Sequence, residues 1–257
     1  MATRSRYPVG ARPLLIEETA RRRRIESRFV EVLEGAGYAE IVLPIIDFAE
    51  PYHGIFDRNA ARSSYRFTDR EGELVAIRSD FTPMVARALA STIAENAPLR
   101  VFYRGDVIRC EATRLGSNRE LFQIGAELIG DASAEADIEV LRLVESLVRA
   151  FDIKPLIVWN DVSVTTGLAP GAATIDDVRD NERLAAINDA LDPDVFSLHL
   201  DDVEDSSGYY TGLRFRVYGR DSRTPIAQGG RYDSLYDRFG ASAPALGFTF
   251  TIDDLEV

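Results

Sequence analysis

The sequence predicts an α+β fold in which helices flank an antiparallel sheet, and two observations support this prediction. Strand-like segments occur mostly in antiparallel runs, and segments with a helical repeat of apolar residues lie between them. The chain has 257 residues, of which 46% are hydrophobic, so it can bury one sizeable core. We therefore expect a single core domain over residues 1–257, with a small insertion at residues 160–205, where the periodic pattern weakens.

The first elements are a helix, a strand and a hairpin. The helix is expected at residues 12–35, because the apolar residues there fall mostly on one face. A buried strand is expected at residues 38–48. Pro44 interrupts it, and because proline cannot donate a ladder hydrogen bond, the strand should end, bulge or lie at an edge there. A polar turn then predicts a hairpin that joins strands 65–68 and 74–78.

The rest of the chain alternates helices with strands. Asp80 or Thr82 is expected to cap the next helix, which continues to residue 94. Further helices are predicted at residues 134–150, 180–190 and 232–239. Further strands are predicted at residues 99–104, 122–129, 153–159, 209–218, 225–228 and 244–252.

The composition argues against several classes of function. The net charge is −12, so the overall field repels phosphate backbones, although a local basic patch can still bind them. Cys110 is the single cysteine and there are two histidines, far apart, so neither a disulfide framework nor a zinc site can be built. The sequence has no run of 18 apolar residues and no nucleotide-binding glycine loop. Because residues 1–12 contain no apolar segment, we expect no signal peptide. We expect a cytoplasmic protein with no metal, no cofactor and no membrane partner.

Four segments, taken in order, carry a resemblance to a known family. They are residues 77–83 (Ile-Arg-Ser-Asp-Phe-Thr-Pro), residues 103–123, residues 208–212 (Gly-Tyr-Tyr-Thr-Gly) and residues 229–248. The second resembles motif 2 of class II aminoacyl-tRNA synthetases, in which two antiparallel strands flank a loop over ATP. The others are similar to the substrate segment, the paired-tyrosine segment, and the glycine-rich run with motif 3 of histidyl-tRNA synthetases. The resemblance implies a class II synthetase-like antiparallel sheet flanked by helices, with a short insertion between motifs 2 and 3.

The resemblance also implies a pocket for a histidine-type ligand. An α-ammonium group is a cation, and at the matched positions Asp80 and Glu127 would bind it, with Gln123 as a neutral partner. Thr82 lies beside Asp80 in the same segment. Arg109 would lie near the α-carboxylate as a bidentate donor. The alternative for Arg109 is an ordinary cross-strand ion pair with Glu111 on a sheet face.

Two adjacent tyrosines would supply the aromatic walls of that pocket. Tyr209 and Tyr210, together with Glu127, would form a slot for an imidazole ring. Because neighbouring strand residues face opposite sides, we expect at most one of the two tyrosines to point into the pocket, and strand packing is the alternative. The nearby pair Gly229 and Gly230 indicates a close approach of the backbone or a bulge.

The chain departs from the synthetases at three positions near ATP. Where the synthetases have arginines, this chain has Ser117, Asp205 and Asp254. Each charge-assisted contact to a phosphate contributes roughly 1.5–3 kcal/mol, so the loss of three such contacts should prevent formation of an adenylate.

Two stretches resemble a paralogue of the synthetases that serves histidine biosynthesis. They are residues 79–87 and residues 123–130. The resemblance implies a non-catalytic regulatory subunit of ATP phosphoribosyltransferase, which activates the short-form catalytic subunit and takes part in feedback inhibition by histidine. It also implies a homodimer through the strand at residues 38–48 and the neighbouring helix, within a hetero-oligomer, with no anticodon-binding domain and no tRNA partner. Two alternatives stay open: a divergent or truncated amino-acid-activating enzyme, and a binding module without a histidine pocket.

Overall fold

The computed structural model describes residues 7–55, 64–93, 97–110, 118–165, 174–200, 209–219 and 224–255. The strands are β1 (Ala39–Glu40), β2 (Ile46–Phe48), β3 (Arg66–Thr68), β4 (Leu74–Ile77), β5 (Leu99–Ile108), β6 (Glu120–Ile129), β7 (Leu156–Asp161), β8 (Phe196–Leu198), β9 (Leu213–Tyr218), β10 (Ala227–Arg231) and β11 (Ala245–Thr251). The α-helices are α1 (Ile16–Gly35), α2 (Thr82–Leu89), α3 (Ala134–Arg149), α4 (Val162–Thr165), α5 (Ile175–Arg179) and α6 (Glu182–Ala190). No helix within these ranges is long and apolar enough to cross a membrane.

The main sheet contains strands in the order β1-β5-β6-β11-β10-β9-β7-β8. Neighbours from β5 to β7 in this order are antiparallel, whereas β1 and β8 are added at the two edges in parallel. The central hairpin of β5 and β6 is paired continuously, from Leu99 opposite Ile129 to Ile108 opposite Glu120. The predicted α+β class, with a largely antiparallel sheet between helices, is therefore confirmed.

The two faces of the main sheet differ because side chains alternate along each strand. One face packs against α1, α3 and α6 through the larger apolar core. That core includes Phe29, Leu141, Ile187, Phe215 and Phe250. The opposite face carries a smaller core around Phe81, Tyr103 and Tyr236. On β6, Ile124, Ala126 and Leu128 belong to the larger core, so Gln123 and Glu127 lie on the opposite face.

The second sheet contains β2, β4 and β3 in that order, with antiparallel pairing. The predicted buried strand at residues 38–48 is wrong in two respects. The segment divides at Pro44 into β1 and β2, which belong to different sheets. Its apolar side chains are also largely exposed, since both short strands lie at sheet edges: Val42 is 89% exposed and Phe48 is 47% exposed. The interruption at Pro44 and the position at a sheet edge agree with the prediction.

An ion-pair network of Asp137, Arg183 and Arg231 ties the stretch predicted as an insertion to the main sheet. Arg183, on α6, contacts the Asp137 carboxylate on α3. Arg231, on β10, donates to the same carboxylate through Nε at 3.0 Å and Nη2 at 2.7 Å. Asp137 is completely buried and Arg231 is 3% exposed. The network therefore joins α3, α6 and β10 through one buried carboxylate.

Candidate functional site

The junction between β4 and α2 positions Asp80 and Thr82. Oδ1 of Asp80 accepts a hydrogen bond from the backbone N–H of Thr82 at 2.9 Å, which forms a turn just before α2. The N-cap of α2 is Phe81, without a side-chain cap, and the helix ends at Leu89, so the predicted cap at Asp80 or Thr82 and the predicted end at residue 94 are wrong. Burial raises the pKa of the Asp80 carboxyl, although the positive charge of Arg109 and the backbone donors at Phe81 and Thr82 oppose the shift. Because the pKa of Asp80 is raised, a further cation nearby would stabilise its carboxylate form.

Glu127 is the centre of the site and is 1% exposed. Its Oε1 accepts hydrogen bonds from the hydroxyl of Thr82 at 2.8 Å and of Tyr103 at 3.3 Å. Its Oε2 accepts one from the hydroxyl of Tyr232. Burial, with a smaller contribution from the charge of Asp80, raises the pKa of Glu127 to about 8, against the opposing hydrogen bond from Thr82. The carboxyl group is therefore mostly protonated at neutral pH, and a cation nearby would favour its ionised form.

Glycines under the site give these side chains their space. A Cβ on Gly125 would lie 2.5 Å from Cζ of Tyr103, and one on Gly247 would overlap the Glu127 carboxylate. A Cβ on Gly230 would lie 2.8 Å from the ring of Tyr210. Since β10 pairs regularly with β9 and β11 through Gly229 and Gly230, that glycine pair marks a close approach and not a bulge.

Gln123 lies on the same face of β6 as Glu127, three residues after the first residue of the strand. It is 4% exposed, and its Oε1 has no hydrogen-bond partner. A buried acceptor without a donor costs about 1–3 kcal/mol, so a ligand that donates to this oxygen would remove that cost.

Both tyrosines of the paired segment face the site, which contradicts the expectation that at most one would. β9 begins only at Leu213, so the alternation of strand side chains does not apply to them. The ring of Tyr209 stacks on Tyr232 with centroids 5.5 Å apart, and meets Tyr210 edge-on at 5.1 Å. Burial raises the pKa of both phenols, and the charges of Asp80 and Glu127 raise it further.

These side chains form one group that we call the polar cluster. Its members are Asp80, Thr82, Tyr103, Glu127, Tyr209, Tyr210 and Tyr232. A cleft between α2 and the second sheet, lined by Tyr52, Ala76 and Met84 among others, reaches Asp80. Asp80 therefore lies where the cleft meets the polar cluster.

Arg109 follows β5 and is half-buried. Its backbone N–H donates to the carbonyl of Arg119 at 2.9 Å, which continues the pairing of the β5–β6 hairpin. Its positive charge opposes the rise in the pKa of Asp80. Glu111, Ser117 and Asp205 lie outside the described residues, and so does the side chain of Asp254, so the predicted loss of the ATP-binding arginines stays a prediction.

Three residues beside the predicted site were missed: Tyr103, Tyr232 and Arg214. Tyr103 and Tyr232 belong to matched motifs, but their contacts with Glu127 depend on pairings between distant strands. Arg214 is 6% exposed, on the face opposite Leu213 and Phe215 of the larger core. The alternation of apolar and charged residues along β9 was the signal for its position.

The comparisons with known proteins agree on one family. The model of the family described as histidyl-tRNA synthetase matches residues 10–181 and 163–255. An ATP phosphoribosyltransferase regulatory subunit from Caldanaerobacter subterraneus subsp. tengcongensis is 28% identical over 96% of this chain and 80% of that protein. A histidine–tRNA ligase from Metallosphaera sedula is 30% identical over 89% of this chain and 69% of that protein.

A solved structure shows the same fold. It is described as an ATP phosphoribosyltransferase regulatory subunit/histidyl-tRNA synthetase from Bacillus halodurans, and superimposes with a TM-score of 0.82 at 23% identity. The match covers 98% of this chain and 83% of that one. The predicted resemblance is confirmed by the relatives, the family model and the fold together. This chain belongs to the histidyl-tRNA synthetase family.

Proposed function

We propose that this chain is a non-catalytic regulatory subunit of an ATP phosphoribosyltransferase. In this role it activates a short-form catalytic subunit in the first step of histidine biosynthesis and takes part in feedback inhibition by histidine. The names of several relatives support the assignment, including proteins from Caldanaerobacter subterraneus subsp. tengcongensis and Symbiobacterium thermophilum. The observation that carries the histidine-sensing part is the buried carboxyl of Glu127, surrounded by hydroxyl groups and aromatic rings.

The polar cluster offers groups that complement each part of histidine. The α-ammonium group would be bound by Asp80 and by the buried, unpartnered Oε1 of Gln123. The imidazole would lie between the tyrosine rings and donate to or accept from Glu127. Arg109 would bind the α-carboxylate. The cleft that reaches Asp80 would be the route of entry.

Reconstitution tests this proposal directly. Addition of the chain to a short-form ATP phosphoribosyltransferase should raise its turnover, and histidine should then inhibit the complex. In Glu127→Gln, an amide replaces the carboxyl group that would contact the imidazole and leaves its hydrogen bonds mismatched, so we expect the histidine concentration for half inhibition to rise by about tenfold or more. Glu120→Gln is the matched control, because Glu120 lies on the same strand but is exposed. If turnover did not respond to the chain at all, the regulatory assignment would be wrong.

The relative from Metallosphaera sedula favours a second candidate, an enzyme that activates an amino acid. This candidate is distinguished by exchange of pyrophosphate into ATP in the presence of histidine. We expect no exchange above background, because Ser117, Asp205 and Asp254 stand where the synthetases have arginines. Measurable exchange that depends on histidine would support the enzyme and contradict the regulatory proposal.

A homodimer is proposed on the basis of an exposed apolar surface on the second sheet and the segment before it. Its members are Val42, Ile45, Ile46, Phe48 and Phe67, which are 41–89% exposed. Phe48 and Phe67 are both register partners of Val75, so one cross-strand row carries two exposed rings. Exposed large apolar side chains grouped on neighbouring segments are typical of an interface.

Charge placed on this surface should dissociate the dimer. We expect Phe48→Lys to shift the chain from dimer to monomer in sedimentation velocity, because a buried lysine without a partner is costly at an interface. Leu156→Lys is the control, since Leu156 is similarly exposed at 45% but lies on β7 in the other sheet. A monomeric wild-type chain, or a dimer that Phe48→Lys leaves intact, would rule out this interface.

A further inference from the structure

Arg78 follows β4 and holds the segment that carries part of the proposed dimer surface. Its Nη1 donates to the carbonyls of Leu43 at 3.0 Å and Pro44 at 3.3 Å. Its backbone N–H donates to the carbonyl of Ile45 at 2.8 Å. Three successive carbonyls between β1 and β2 thus accept hydrogen bonds from one residue. Since the side chains of Val42 and Ile45 are exposed, a partner that covers them would also restrict these carbonyls.

The guanidinium of Arg78 is buried between that segment and the main sheet. Arg78 is 8% exposed, and its Nε and Nη2 both donate to the carbonyl of Asp106 on β5, at 3.0 and 2.8 Å. Within the described ranges, every hydrogen bond of this guanidinium ends on a backbone carbonyl. Hydrogen bonds from an ionised donor are roughly twice as strong as neutral ones. The position of the guanidinium therefore follows the main chain of the two segments that it joins.

A stack of three side chains leads from this guanidinium to the polar cluster. Cζ of Arg78 lies 4.0 Å from the centroid of the Phe81 ring. Phe81 stacks on Tyr103, with ring centroids 4.4 Å apart and 12° between the planes. The hydroxyl of Tyr103 donates to Oε1 of Glu127 at 3.3 Å. We call Arg78, Phe81 and Tyr103 the stacked column.

The stacked column is enclosed by the smaller core. Phe81 and Tyr103 are buried members of that core, and the partly buried Leu43 packs against it. Because protein interiors are close-packed, a ring in such a stack cannot move without its neighbours. One end of the column thus holds carbonyls beneath the proposed dimer surface, and the other end holds the carboxyl group that would contact histidine.

We propose that Arg78 is a positioning residue that couples dimer formation to histidine binding. When a second copy buries residues 42–46, the carbonyls that hold Arg78 lose freedom to move. Phe81, Tyr103 and the Glu127 carboxyl are then restricted before the ligand arrives, so the dimer binds histidine more tightly than the monomer does. By thermodynamic reciprocity, histidine strengthens the dimer. This inference rests on the proposed function, which supplies both the ligand and the dimer.

The test measures this coupling in both directions. Calorimetric titration gives the affinity for histidine of the wild-type dimer and of the Phe48→Lys monomer, whose substitution lies on β2, outside the column. We expect the dimer to bind about tenfold more tightly, within the usual range of coupling between two sites. Sedimentation equilibrium gives the dissociation constant of the dimer with and without histidine. Because each dimer has two sites, saturation of both should lower that constant by the square of the first ratio, about a hundredfold.

Two variants interrupt the stacked column at different places. Arg78→Lys keeps the positive charge but lacks the planar fork that joins the carbonyls of Leu43 and Asp106. Phe81→Leu removes the ring between Arg78 and Tyr103. Each is studied alone and combined with Phe48→Lys, and the ratio of dimer to monomer affinity should fall below about threefold. A general loss of packing would weaken both forms alike and would leave the ratio unchanged.

Phe102→Leu is the matched control for Phe81→Leu. Phe102 precedes Tyr103 on β5 and is completely buried, but it belongs to the larger core on the opposite face of the sheet. This variant should retain the tenfold ratio. Either column variant suffices if the other does not fold.

The possible failures point to different claims. Equal affinity of the wild-type dimer and the Phe48→Lys monomer would overturn this inference and leave the proposed function standing. A ratio that stays near tenfold in both Arg78→Lys and Phe81→Leu would do the same. A chain that binds histidine but is monomeric at all concentrations would overturn the dimer and the coupling, but not the histidine site. Failure to bind histidine, alone and with the catalytic subunit, would overturn the proposed sensing role and this inference together.

Discussion

Replacement of Asp137 with alanine is expected to lower the free energy of unfolding by about 3–5 kcal/mol, the usual cost when one partner of a buried ion pair is removed. The substitution leaves Arg231, which is 3% exposed, without its main countercharge. Its remaining contacts are the carbonyl of Asp131 and the carboxylate of Asp233, each at 3.1 Å. The variant should show a lower denaturant midpoint by circular dichroism at an unchanged slope.

An exposed pair provides the matched control for this prediction. Asp176 and Arg179 form an ion pair at 3.4 Å, and both side chains are more than 70% exposed. Asp176→Ala should change the free energy of unfolding by less than about 1 kcal/mol, because solvent already screens the pair. If the two variants lost equal free energy of unfolding, burial would not explain how much the network contributes to stability.

The sequence predicted those elements whose signal is local. The apolar stripe of α3 gave that helix to within a residue at each end. The polar turn between β3 and β4 gave the hairpin, since the turn residues themselves determine it. By contrast, β8 has three residues and exists through parallel pairing with β7, for which a local pattern contains no information.

Within the site, the sequence motifs identified several of the residues but did not show which of their side chains meet. Asp80, Thr82 and Glu127 were predicted from matched motifs, and Thr82 donates to Glu127 in the structure. Their meeting with Tyr232 depends on the register of β6 with β11 and of β11 with β10, which is set by packing across the whole sheet. The error over the paired tyrosines has the same origin, because the start of β9 was placed too early.

The same register makes Gly247 a sensitive position under the site. Gly247 is paired with Glu127 on one side and with Gly230 on the other, in the middle of the sheet. A Cβ at this position would overlap the Glu127 carboxylate and would lie 2.5 Å from the backbone carbonyl of Ala126. The side chain of Glu127 could rotate away, but the carbonyl is held in the ladder between β6 and β11.

We therefore expect Gly247→Ala to affect both stability and histidine binding. Overpacking of this kind typically costs about 1–3 kcal/mol of folding free energy. Displacement of Glu127 from Thr82 and Tyr232 would also move the carboxyl group that we propose contacts the imidazole, so histidine affinity should fall by about tenfold or more. Thermal unfolding and calorimetric titration measure the two effects separately.

Gly35→Ala separates these effects from the general consequences of replacing a glycine. Gly35 ends α1, and a Cβ there would meet no atom within 4 Å. Because alanine favours a helix over glycine by about 1 kcal/mol, this control should be neutral or slightly stabilising and should bind histidine normally. If Gly247→Ala retained wild-type affinity, Glu127 would not be the group that recognises the ligand, and the site would have to be sought in the cleft that ends at Asp80.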